Sequence, residues 1–358
     1  MIALNSPLKP DLNKLQKLLE KVSDSGWYTN FGPLHQELTL KLEDYLGVQN
    51  LLLTNNGTSA LQVAAKAIGS QSFLITPFSF VATASAFKWQ RDEVAFADID
   101  PNSLNLSSLA VDNAYREGCT ADTVVATHVY GNPCDVYSMD KLAKKHGFRL
   151  LYDAAHAFGI NLNSKSVLEY GDASTLSFHA TKIFHTVEGG AIVFKDNDIF
   201  EKAKEMINFG IKTGVGVVGV GINAKLNEYQ AAVGLVNLEG IDDILSHRSE
   251  LFYSYRKGLE DCVKLPDWHP QANVNGAYMP ILLESEEQLK KISNLLCENN
   301  IESRHYFSPS LNNVFVDSHD YGSVNSVSAS KRVLCLPLHA NLSLDEVKKV
   351  VKIVREGL

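Results

Sequence analysis

Seven short apolar runs separated by helical stretches constrain the fold of this chain more than any other feature. The runs are nearly continuous in apolar residues, which is typical of strands buried on both faces of a parallel or mixed sheet. Helical patterns lie between them, for example at 138–147, where Ser138 is the predicted N-cap and Gly147 the predicted stop. The alternation predicts an α/β sandwich that binds ligands at the carboxyl ends of its strands. The predicted strands are 50–54, 72–76, 94–99, 123–130, 149–153, 174–178 and 191–194.

The pattern changes at about residue 240. A helix of mixed charge and a proline-containing stretch come first, followed by a strand, a helix, a second strand and a final helix. This order is typical of a smaller α+β unit. We therefore predict a large, mainly parallel-sheet αβα domain over 1–238 and a smaller C-terminal α+β domain over 239–358.

Composition and charge exclude several classes of protein. The 358 residues are 45% hydrophobic, enough for a large core, and the formal net charge of -8 argues against a protein that coats nucleic acid. The sequence lacks an apolar run of membrane-spanning length and the pattern of a signal peptide, so we expect a cytoplasmic protein without membrane contact. The five cysteines are scattered, which predicts reduced thiols and neither a disulfide framework nor a metal site.

A glycine-rich segment at 214–221 contains the formal pattern G-x-G-x-x-G. A dinucleotide-binding turn needs a strand immediately before the glycines and a helix directly after them. Here the residues before the glycines have a helical pattern, so the required strand is missing. The pattern favours a mobile loop, of the kind that often covers an active site.

Two segments that follow predicted strands carry polar residues suited to a charged ligand. In NNGTSAL (55–61), Gly57 permits a tight turn and Thr58 opens a helix whose free N–H groups suit a phosphate, although an ordinary N-cap has the same pattern. Asp153 ends a buried strand and needs a cationic or hydrogen-bonding partner, and His156 follows three residues later. A structural contact between this aspartate and histidine is an equally good interpretation of the motif alone.

Lys182 lies just beyond another predicted strand, which ends near Ser177. Burial lowers the pKa of a lysine and makes its amine a nucleophile toward carbonyls, as in Schiff-base lysines. Phe80 follows the strand at 72–76 and is a candidate to stack on a planar ring, whereas Phe78 is predicted to be a core residue. A phosphate site, an acid for a pyridine nitrogen, an aromatic ring and a lysine, all at strand ends, are together what pyridoxal 5'-phosphate requires.

With these motifs the chain resembles the nucleotide-sugar aminotransferases of the DegT type, which have the aspartate aminotransferase-like fold (fold type I). The resemblance extends over essentially the whole chain and is carried by NNGTSAL, FSFVATAS, LYDAAHAFG, SFHATKIFHTVEGGAI and GINAKLNEYQAAVGL. It implies pyridoxal 5'-phosphate as the cofactor and a homodimer with composite active sites. Within the family, the closest likeness is to the transaminases that form dTDP-4-amino-4,6-dideoxyglucose.

The resemblance also implies a role for each motif residue. Lys182 is the catalytic residue, which holds the cofactor as a Schiff base and shuttles protons. Asp153 pairs with the ring nitrogen, Phe80 stacks on the ring, and Asn223 reaches the phosphate from the neighbouring subunit. Many family members have arginine two positions after this asparagine, where this chain has Lys225. The implied cofactor-binding residues are Gly57, Thr58, Phe80, Asp153, His156, Ser177, Lys182 and Asn223.

The same resemblance implies the reaction. L-Glutamate is the expected amino donor. The motif SFHATK followed by Glu-Gly-Gly is more similar to family members that aminate C4 of a nucleotide-linked 4-keto-6-deoxy hexose. The expected acceptor is dTDP-4-keto-6-deoxyglucose, in O-antigen or related glycan biosynthesis. Amination of a 3-keto sugar at C3 and a non-catalytic regulatory homologue that binds cofactor or sugar stay open as alternatives. The residues expected to contact the sugar are His179, His185, Glu188 and Tyr306.

Overall fold

The computed structural model describes residues 1–358, and the large sheet at its centre has eight strands. Three further two-stranded sheets lie outside it. In chain order the strands are β1 (Leu51–Thr54), β2 (Ser72–Ile75), β3 (Glu93–Phe96), β4 (Thr123–Thr127), β5 (Arg149–Asp153), β6 (Asn161–Leu162), β7 (Lys165–Ser166), β8 (Ala173–Ser177), β9 (Gly190–Phe194), β10 (Ile211–Lys212), β11 (Gly216–Val217), β12 (Met279–Leu282), β13 (His319–Asp320) and β14 (Val333–Leu336).

Twelve α-helices surround these sheets. None of the helices combines the length and the apolar character needed to cross a membrane. In chain order they are α1 (Leu12–Ser25), α2 (Pro33–Leu46), α3 (Gly57–Ala67), α4 (Val81–Lys88), α5 (Ser108–Arg116), α6 (Val136–His146), α7 (Asn197–Met206), α8 (Glu228–Leu238), α9 (Ile241–Leu259), α10 (Glu286–Glu298), α11 (Val324–Arg332) and α12 (Leu344–Gly357).

The strand order of the large sheet is β1-β9-β8-β5-β4-β2-β3-β13. Strand β9 runs antiparallel to both of its neighbours, and the pairs β5–β8, β4–β5, β2–β4, β2–β3 and β3–β13 are parallel. Parallel strands end at one edge of the sheet, so Thr127, Asp153 and Ser177 come together there. The prediction of a large, mainly parallel sheet is confirmed.

Helices cover both faces of the large sheet, which explains the continuous apolar runs in the sequence. The neighbouring residues Leu74 and Ile75 belong to different hydrophobic clusters because successive strand side chains point to opposite faces. One face packs against α2, α5, α6 and α8, and the other packs against α3, α4 and α7. The sandwich thus has three layers, as the alternation of strands and helices predicts.

Several local predictions differ from the structure; the strand predicted at 94–99, for example, is β3 and ends at Phe96. The N-cap of α6 is Asp135, whose Oδ1 accepts a hydrogen bond from the Ser138 N–H at 3.0 Å, so the predicted cap at Ser138 is wrong by one helical turn. Gly147 does end this helix, at φ 79°. The strand predicted to reach residue 130 stops at Thr127, because a short 3₁₀ turn follows in which Tyr130 has φ 59°.

Most of the C-terminal part packs around its own hydrophobic cluster. Helices α9, α10 and α12 cover the antiparallel pair β12–β14. The two parts of the chain also exchange segments, since β13 adds to the edge of the large sheet and Ile2 packs in the C-terminal cluster. The domain boundary between residues 238 and 239 stays a prediction.

The N-terminal segment, residues 2–8, runs between the C-terminal part and the large sheet. The Ile2 N–H donates to the Asn300 carbonyl at 2.8 Å. Asn5 Nδ2 then donates to the Thr181 carbonyl at 2.7 Å, next to Lys182. The segment therefore fastens the lysine-bearing turn to residues near 300.

The glycine-rich segment at 214–221 forms part of a short antiparallel hairpin, β10–β11, in which Lys212 pairs with Gly216. The next helix, α8, begins only at Glu228. The geometry of a dinucleotide-binding turn is therefore absent, as predicted. The segment at 214–221 instead exposes apolar side chains, including Val217 at 75% and Val220 at 90%.

Candidate active site

A cavity of about 360 Å³ opens where the carboxyl ends of β4, β5 and β8 meet the N-terminus of α3. Residues of the C-terminal part, among them Tyr278 and Arg304, close its other side. Of the twelve site residues named from the sequence, all line this cavity except His185 and Asn223. Ligand sites in sheets of this kind are expected at this edge.

One end of the cavity is suited to an anion. Asn56 caps α3 by accepting a hydrogen bond from the Ser59 N–H at 2.8 Å. Helix geometry leaves the N–H groups of Gly57 and Thr58 without intrahelical acceptors, at the positive end of the helix. Ser177 lies so close that a Cβ on Gly57 would be 3.0 Å from the Ser177 Cβ. These N–H groups, with the hydroxyls of Thr58 and Ser177, can donate hydrogen bonds to the oxygens of a phosphate.

Asp153 lies at the floor of the cavity and is 5% exposed. Its Oδ2 accepts a hydrogen bond from the Thr83 hydroxyl at 2.7 Å, and its Oδ1 accepts one from the Ala155 N–H at 3.2 Å. Burial raises the pKa of Asp153, and these two hydrogen bonds and the charge of Lys182 oppose that rise. A buried carboxylate of this kind stabilises a cationic ring nitrogen placed against it.

Lys182 lies in the wall of the same cavity. Burial lowers its pKa to about 8, although Asp153 acts in the opposite direction. A fraction of the amine is therefore neutral, and nucleophilic toward an aldehyde, near neutral pH. The N–H of Lys182 donates to the His179 carbonyl at 2.8 Å, which holds the lysine in a tight turn after β8.

His156 presents a buried nitrogen without a partner. Its Nδ1 lies in the protein interior and makes no hydrogen bond, while the residue lines the cavity. Burial, followed by the charge of Lys182, lowers the pKa of His156 well below its usual range, so the ring is neutral. The ring is parallel to that of Phe307, with centroids 6.0 Å apart. An unpaired buried nitrogen beside a cavity indicates that a polar group of a ligand belongs there.

The ring of Phe80 is available to a planar ligand. Phe80 precedes α4 as its N-cap residue and is 55% exposed although it lines the cavity. Phe78, two positions earlier, is fully buried and packs against Tyr130 and Phe307. The cavity therefore holds a phosphate cradle, an exposed aromatic face, a buried carboxylate and a lysine, and this set fits pyridoxal 5'-phosphate.

Charged and polar side chains surround the mouth of the cavity. His179 Nε2 lies 3.5 Å from Glu188 Oε1, and both side chains are about half exposed. Arg304 is anchored by two backbone hydrogen bonds to Cys335, and its Nη1 donates to the Tyr306 hydroxyl at 2.7 Å. These groups are placed to contact a substrate that reaches beyond the cofactor site.

Two site residues named from the sequence lie elsewhere. His185 is 3% exposed, donates from Nε2 to the Leu8 carbonyl at 3.1 Å, and accepts on Nδ1 from the Val187 N–H at 3.2 Å. Its ring nitrogens are thus used internally, and His185 does not line the cavity. Asn223 is exposed outside the cavity of its own chain, with Oδ1 accepting from Lys225 Nζ at 2.9 Å.

The two glycines after the lysine, Gly189 and Gly190, lie very close to other atoms of the protein. A Cβ on Gly190 would lie 2.7 Å from the carbonyl carbon of Asn56, and one on Gly189 would overlap the Thr186 hydroxyl. The close approach is therefore to the protein itself. Gly190 lets β9 pass beside the turn that opens α3, and so it supports the phosphate end of the cavity.

Sequence reasoning did not identify several cavity residues. Thr83 lies in the first turn of α4 after a strand end, the same signal that singled out Thr58 in α3. Tyr278 reaches the cavity from a segment distant in sequence, for which no local signal exists. The residues found only from the structure include Ser79, Thr83, Thr127, Tyr278 and Phe307.

Comparisons with known proteins agree with this geometry. The model of the DegT/DnrJ/EryC1/StrS aminotransferase family matches residues 11–355. A dTDP-4-amino-4,6-dideoxy-D-glucose transaminase of Shigella dysenteriae is 39% identical over 99% of this chain and 98% of its own. One of Escherichia coli is 34% identical over 99% of this chain and 98% of its own.

A solved structure gives the same result for the fold. The structure of DesI in the presence of its TDP-sugar product has a TM-score of 0.92 and 29% sequence identity, covering 99% of this chain and 92% of that chain. The predicted aminotransferase fold is thereby confirmed. The chain therefore belongs to the DegT/DnrJ/EryC1/StrS aminotransferase family, as an enzyme that depends on pyridoxal 5'-phosphate.

Proposed function

We propose that this enzyme transfers the amino group of L-glutamate to C4 of a nucleotide-linked 4-keto-6-deoxy hexose, with dTDP-4-keto-6-deoxyglucose as the acceptor. The observation that carries the proposal is a cavity in which a lysine with a lowered pKa, a buried carboxylate and a phosphate cradle converge, in a chain 39% identical to a dTDP-4-amino-4,6-dideoxy-D-glucose transaminase. We place the reaction in O-antigen or related glycan biosynthesis in the cytoplasm, which is consistent with five free cysteines.

The proposed mechanism assigns a task to each side chain in the cavity. Pyridoxal 5'-phosphate supplies an aldehyde for amine exchange and a ring that accepts electron density from the adjacent carbon. Gly57, Thr58 and Ser177 hold the phosphate, and Phe80 covers one face of the ring. The neutral amine of Lys182 would accept the proton from the α-carbon of the donor and would deliver it to C4′, the aldehyde carbon of the cofactor. In the second half of the cycle, the same amine moves the proton in the opposite direction.

Asp153 and His156 serve the ring in this proposal. The carboxylate of Asp153 accepts a hydrogen bond from the ring nitrogen and stabilises its protonated form. The unpaired Nδ1 of His156 would bind a polar substituent of the cofactor. Both side chains are nine-tenths or more buried, so their interactions with the ring are not screened by water.

Both proposed substrates are anionic, and Arg304 is the cation at the cavity mouth that is available to them. The guanidinium has only the neutral Tyr306 hydroxyl as its side-chain partner, and its backbone is fixed to β14. A planar guanidinium binds a carboxylate or a diphosphate through paired N–H groups. We therefore assign Arg304 to the carboxylate of glutamate or to the diphosphate of the sugar nucleotide, and His179, Glu188 and Tyr306 to the sugar.

We also propose a homodimer in which each active site receives Asn223 from the partner. Asn223 is exposed, and the neighbouring β10–β11 hairpin exposes apolar side chains of the kind that subunit interfaces cover. Lys225 donates to the Asn223 oxygen, which leaves the amide NH₂ free to donate to a phosphate. Lys225 thus orients the amide in this proposal.

The decisive experiment separates the proposed reaction from its alternatives. The purified enzyme, loaded with pyridoxal 5'-phosphate, is incubated with L-glutamate and a panel of nucleotide-linked 4-keto and 3-keto 6-deoxy sugars. Product NMR must assign the new amine to C4, because the C3 and C4 regioisomers have the same mass. An amine at C3 contradicts the regiochemistry, and the absence of any amino sugar together with cofactor binding supports a non-catalytic homologue.

A further inference from the structure

Three hydroxyl side chains and a carboxylate form one continuous hydrogen-bonded chain at the floor of the cavity. Thr127 Oγ1 lies 3.3 Å from Ser79 Oγ, which lies 2.9 Å from Thr83 Oγ1. Thr83 Oγ1 lies 2.7 Å from Asp153 Oδ2. The four side chains are between 1% and 5% exposed, so water does not compete for these hydrogen bonds.

The chemistry of the carboxylate determines which group donates in each of these hydrogen bonds. An ionised carboxylate only accepts, so the single hydroxyl proton of Thr83 points to Asp153. Thr83 can then only accept from Ser79, and Ser79 can only accept from Thr127. All three protons therefore point toward Asp153, and aligned donors of this kind strengthen one another in a dry interior.

Packing alone does not explain why these hydroxyl side chains lie where they do. Thr127 and Asp153 are direct neighbours in the register of β4 and β5. The hydrogen bonds that connect their side chains nevertheless pass through Ser79, in the loop before α4, and through Thr83, in α4. A valine has the shape of a threonine, so it would fill the space of the buried Thr83 equally well. Only a hydroxyl supplies the donor that the buried carboxylate needs.

We propose that Thr127, Ser79 and Thr83 are positioning residues that keep Asp153 ionised and direct its carboxylate toward the ring nitrogen of the cofactor. The inference rests on the proposed function, in which Asp153 binds the protonated nitrogen. The second oxygen, Oδ1, is held by the Ala155 N–H. With one donor on each oxygen, the carboxylate plane is fixed before the cofactor binds, which reduces the reorganisation that binding requires.

The test compares the dissociation constants of pyridoxal 5'-phosphate and its 1-deaza analogue, which has a carbon in place of the ring nitrogen. The ratio of the two constants reports the contact between Asp153 and that nitrogen, independently of turnover. The wild-type protein is expected to prefer the natural cofactor. Thr83→Val is expected to lower this preference roughly threefold to tenfold, the equivalent of one hydrogen bond, and Thr83→Ser to restore it.

The remaining variants test the order of the chain. Ser79→Ala is expected to lower the preference less than Thr83→Val does, and Thr127→Val less again, because each hydroxyl acts through the next. Thermal unfolding of each apo variant establishes that it is folded. Equal weakening of both ligands by Thr83→Val overturns the inference, since it indicates a purely structural role.

The inference and the proposed function fail in different ways. A wild-type protein that binds both ligands equally overturns the assignment of Asp153, and with it the role of the hydroxyl chain. A second outcome is that the wild-type protein prefers the natural cofactor, that Asp153→Asn abolishes this preference, and that Thr83→Val leaves it unchanged. That outcome overturns the role of the hydroxyl chain but not the assignment of Asp153.

Discussion

Glu228 accepts one hydrogen bond from the backbone N–H of Leu34 and another from that of His35, each at 2.8 Å. These N–H groups lie in the first turn of α2, where helix geometry provides no acceptor. The carboxylate also lies at the positive end of the helix dipole. Glu228 is the first residue of α8 and is 1% exposed. Its buried hydrogen bonds therefore join α2 to α8, the helix that follows Asn223 in the sequence.

Loss of this cap is expected to destabilise the protein. Glu228→Ala should lower the free energy of unfolding by about 2–4 kcal/mol, because two buried N–H groups lose their acceptor. Urea unfolding of the apo protein measures the change. The matched control is Glu239→Ala, whose partner Lys14 is about half exposed, and it should cost less than about 1 kcal/mol. Equal losses in the two variants would contradict the capping role.

Replacement of the active-site lysine is expected to stop amino transfer. Lys182→Ala removes both the amine that captures the cofactor aldehyde and the group that moves the proton, so turnover should fall to the background level. Product formation from glutamate and the keto sugar measures the effect, and circular dichroism checks the fold. The control is Lys195→Ala, an exposed lysine outside the cavity, which should retain wild-type turnover. Wild-type turnover in Lys182→Ala would exclude the covalent role.

The capture of the cofactor by the apo enzyme is expected to depend on pH. Only the neutral amine attacks an aldehyde, and the pKa of Lys182 is lowered to about 8. The rate of capture should therefore rise as the pH increases through about 8 and level off above it. Asp153→Asn removes the charge that raises this pKa, so the midpoint should move to lower pH. Stopped-flow absorbance measures both profiles, and a midpoint near the ordinary lysine value of 10.5 would contradict the effect of burial.

A mixture of two inactive variants tests the composite active site. In a mixed dimer of Lys182→Ala and Asn223→Ala, both defects fall in one site, so the other site keeps both residues. After unfolding and refolding together, the mixture should recover roughly a quarter of the wild-type activity, because about half of the dimers are mixed. Separately refolded variants are the control. No recovery in the mixture, with dimers present by sedimentation, would indicate that Asn223 acts within its own subunit.

The cation at the cavity mouth is expected to affect substrate binding. Arg304→Met should raise the KM for glutamate or for the sugar nucleotide by roughly tenfold or more, the equivalent of a hydrogen bond to a charged group, with a smaller effect on kcat. Arg304→Lys keeps the charge but loses the paired N–H groups, and it should lie between wild-type and Arg304→Met. Initial rates with each substrate varied in turn identify which one depends on Arg304. Unchanged KM values for both substrates would contradict the assignment.

The large sheet was predictable because its strands are buried on both faces and therefore have a clear apolar signal. The positions of Asp153 and Lys182 followed from the same signal, since Asp153 ends one such strand and Lys182 lies in the turn after another. The end of β4 was not predictable in this way, because the apolar residues Val129 and Tyr130 continue the pattern after the backbone has turned. The limits of an apolar run and of a strand are set by different interactions.

The surroundings of Lys182 were harder to predict. His179 and His185 both flank the lysine in sequence, but the turn after β8 directs the first to the cavity and the second to Leu8. Thr83 and Tyr278 reach the cavity from other elements, and their roles depend on contacts that a single segment does not encode. Prediction therefore succeeded where strand burial determines position and failed where tertiary contacts do.

The N-terminal segment has a consequence for the order in which the molecule can assemble on the ribosome. Ile2 pairs with residues 300 and 301, and the Leu4 N–H bonds to the Glu302 carboxylate, 298 positions later in the chain. Asn5, in the same segment, donates a hydrogen bond to the carbonyl of Thr181, next to Lys182. During synthesis, residues 2–5 therefore wait for their partners until the segment at 300–302 has been translated. The lysine turn reaches its final environment only after that late step.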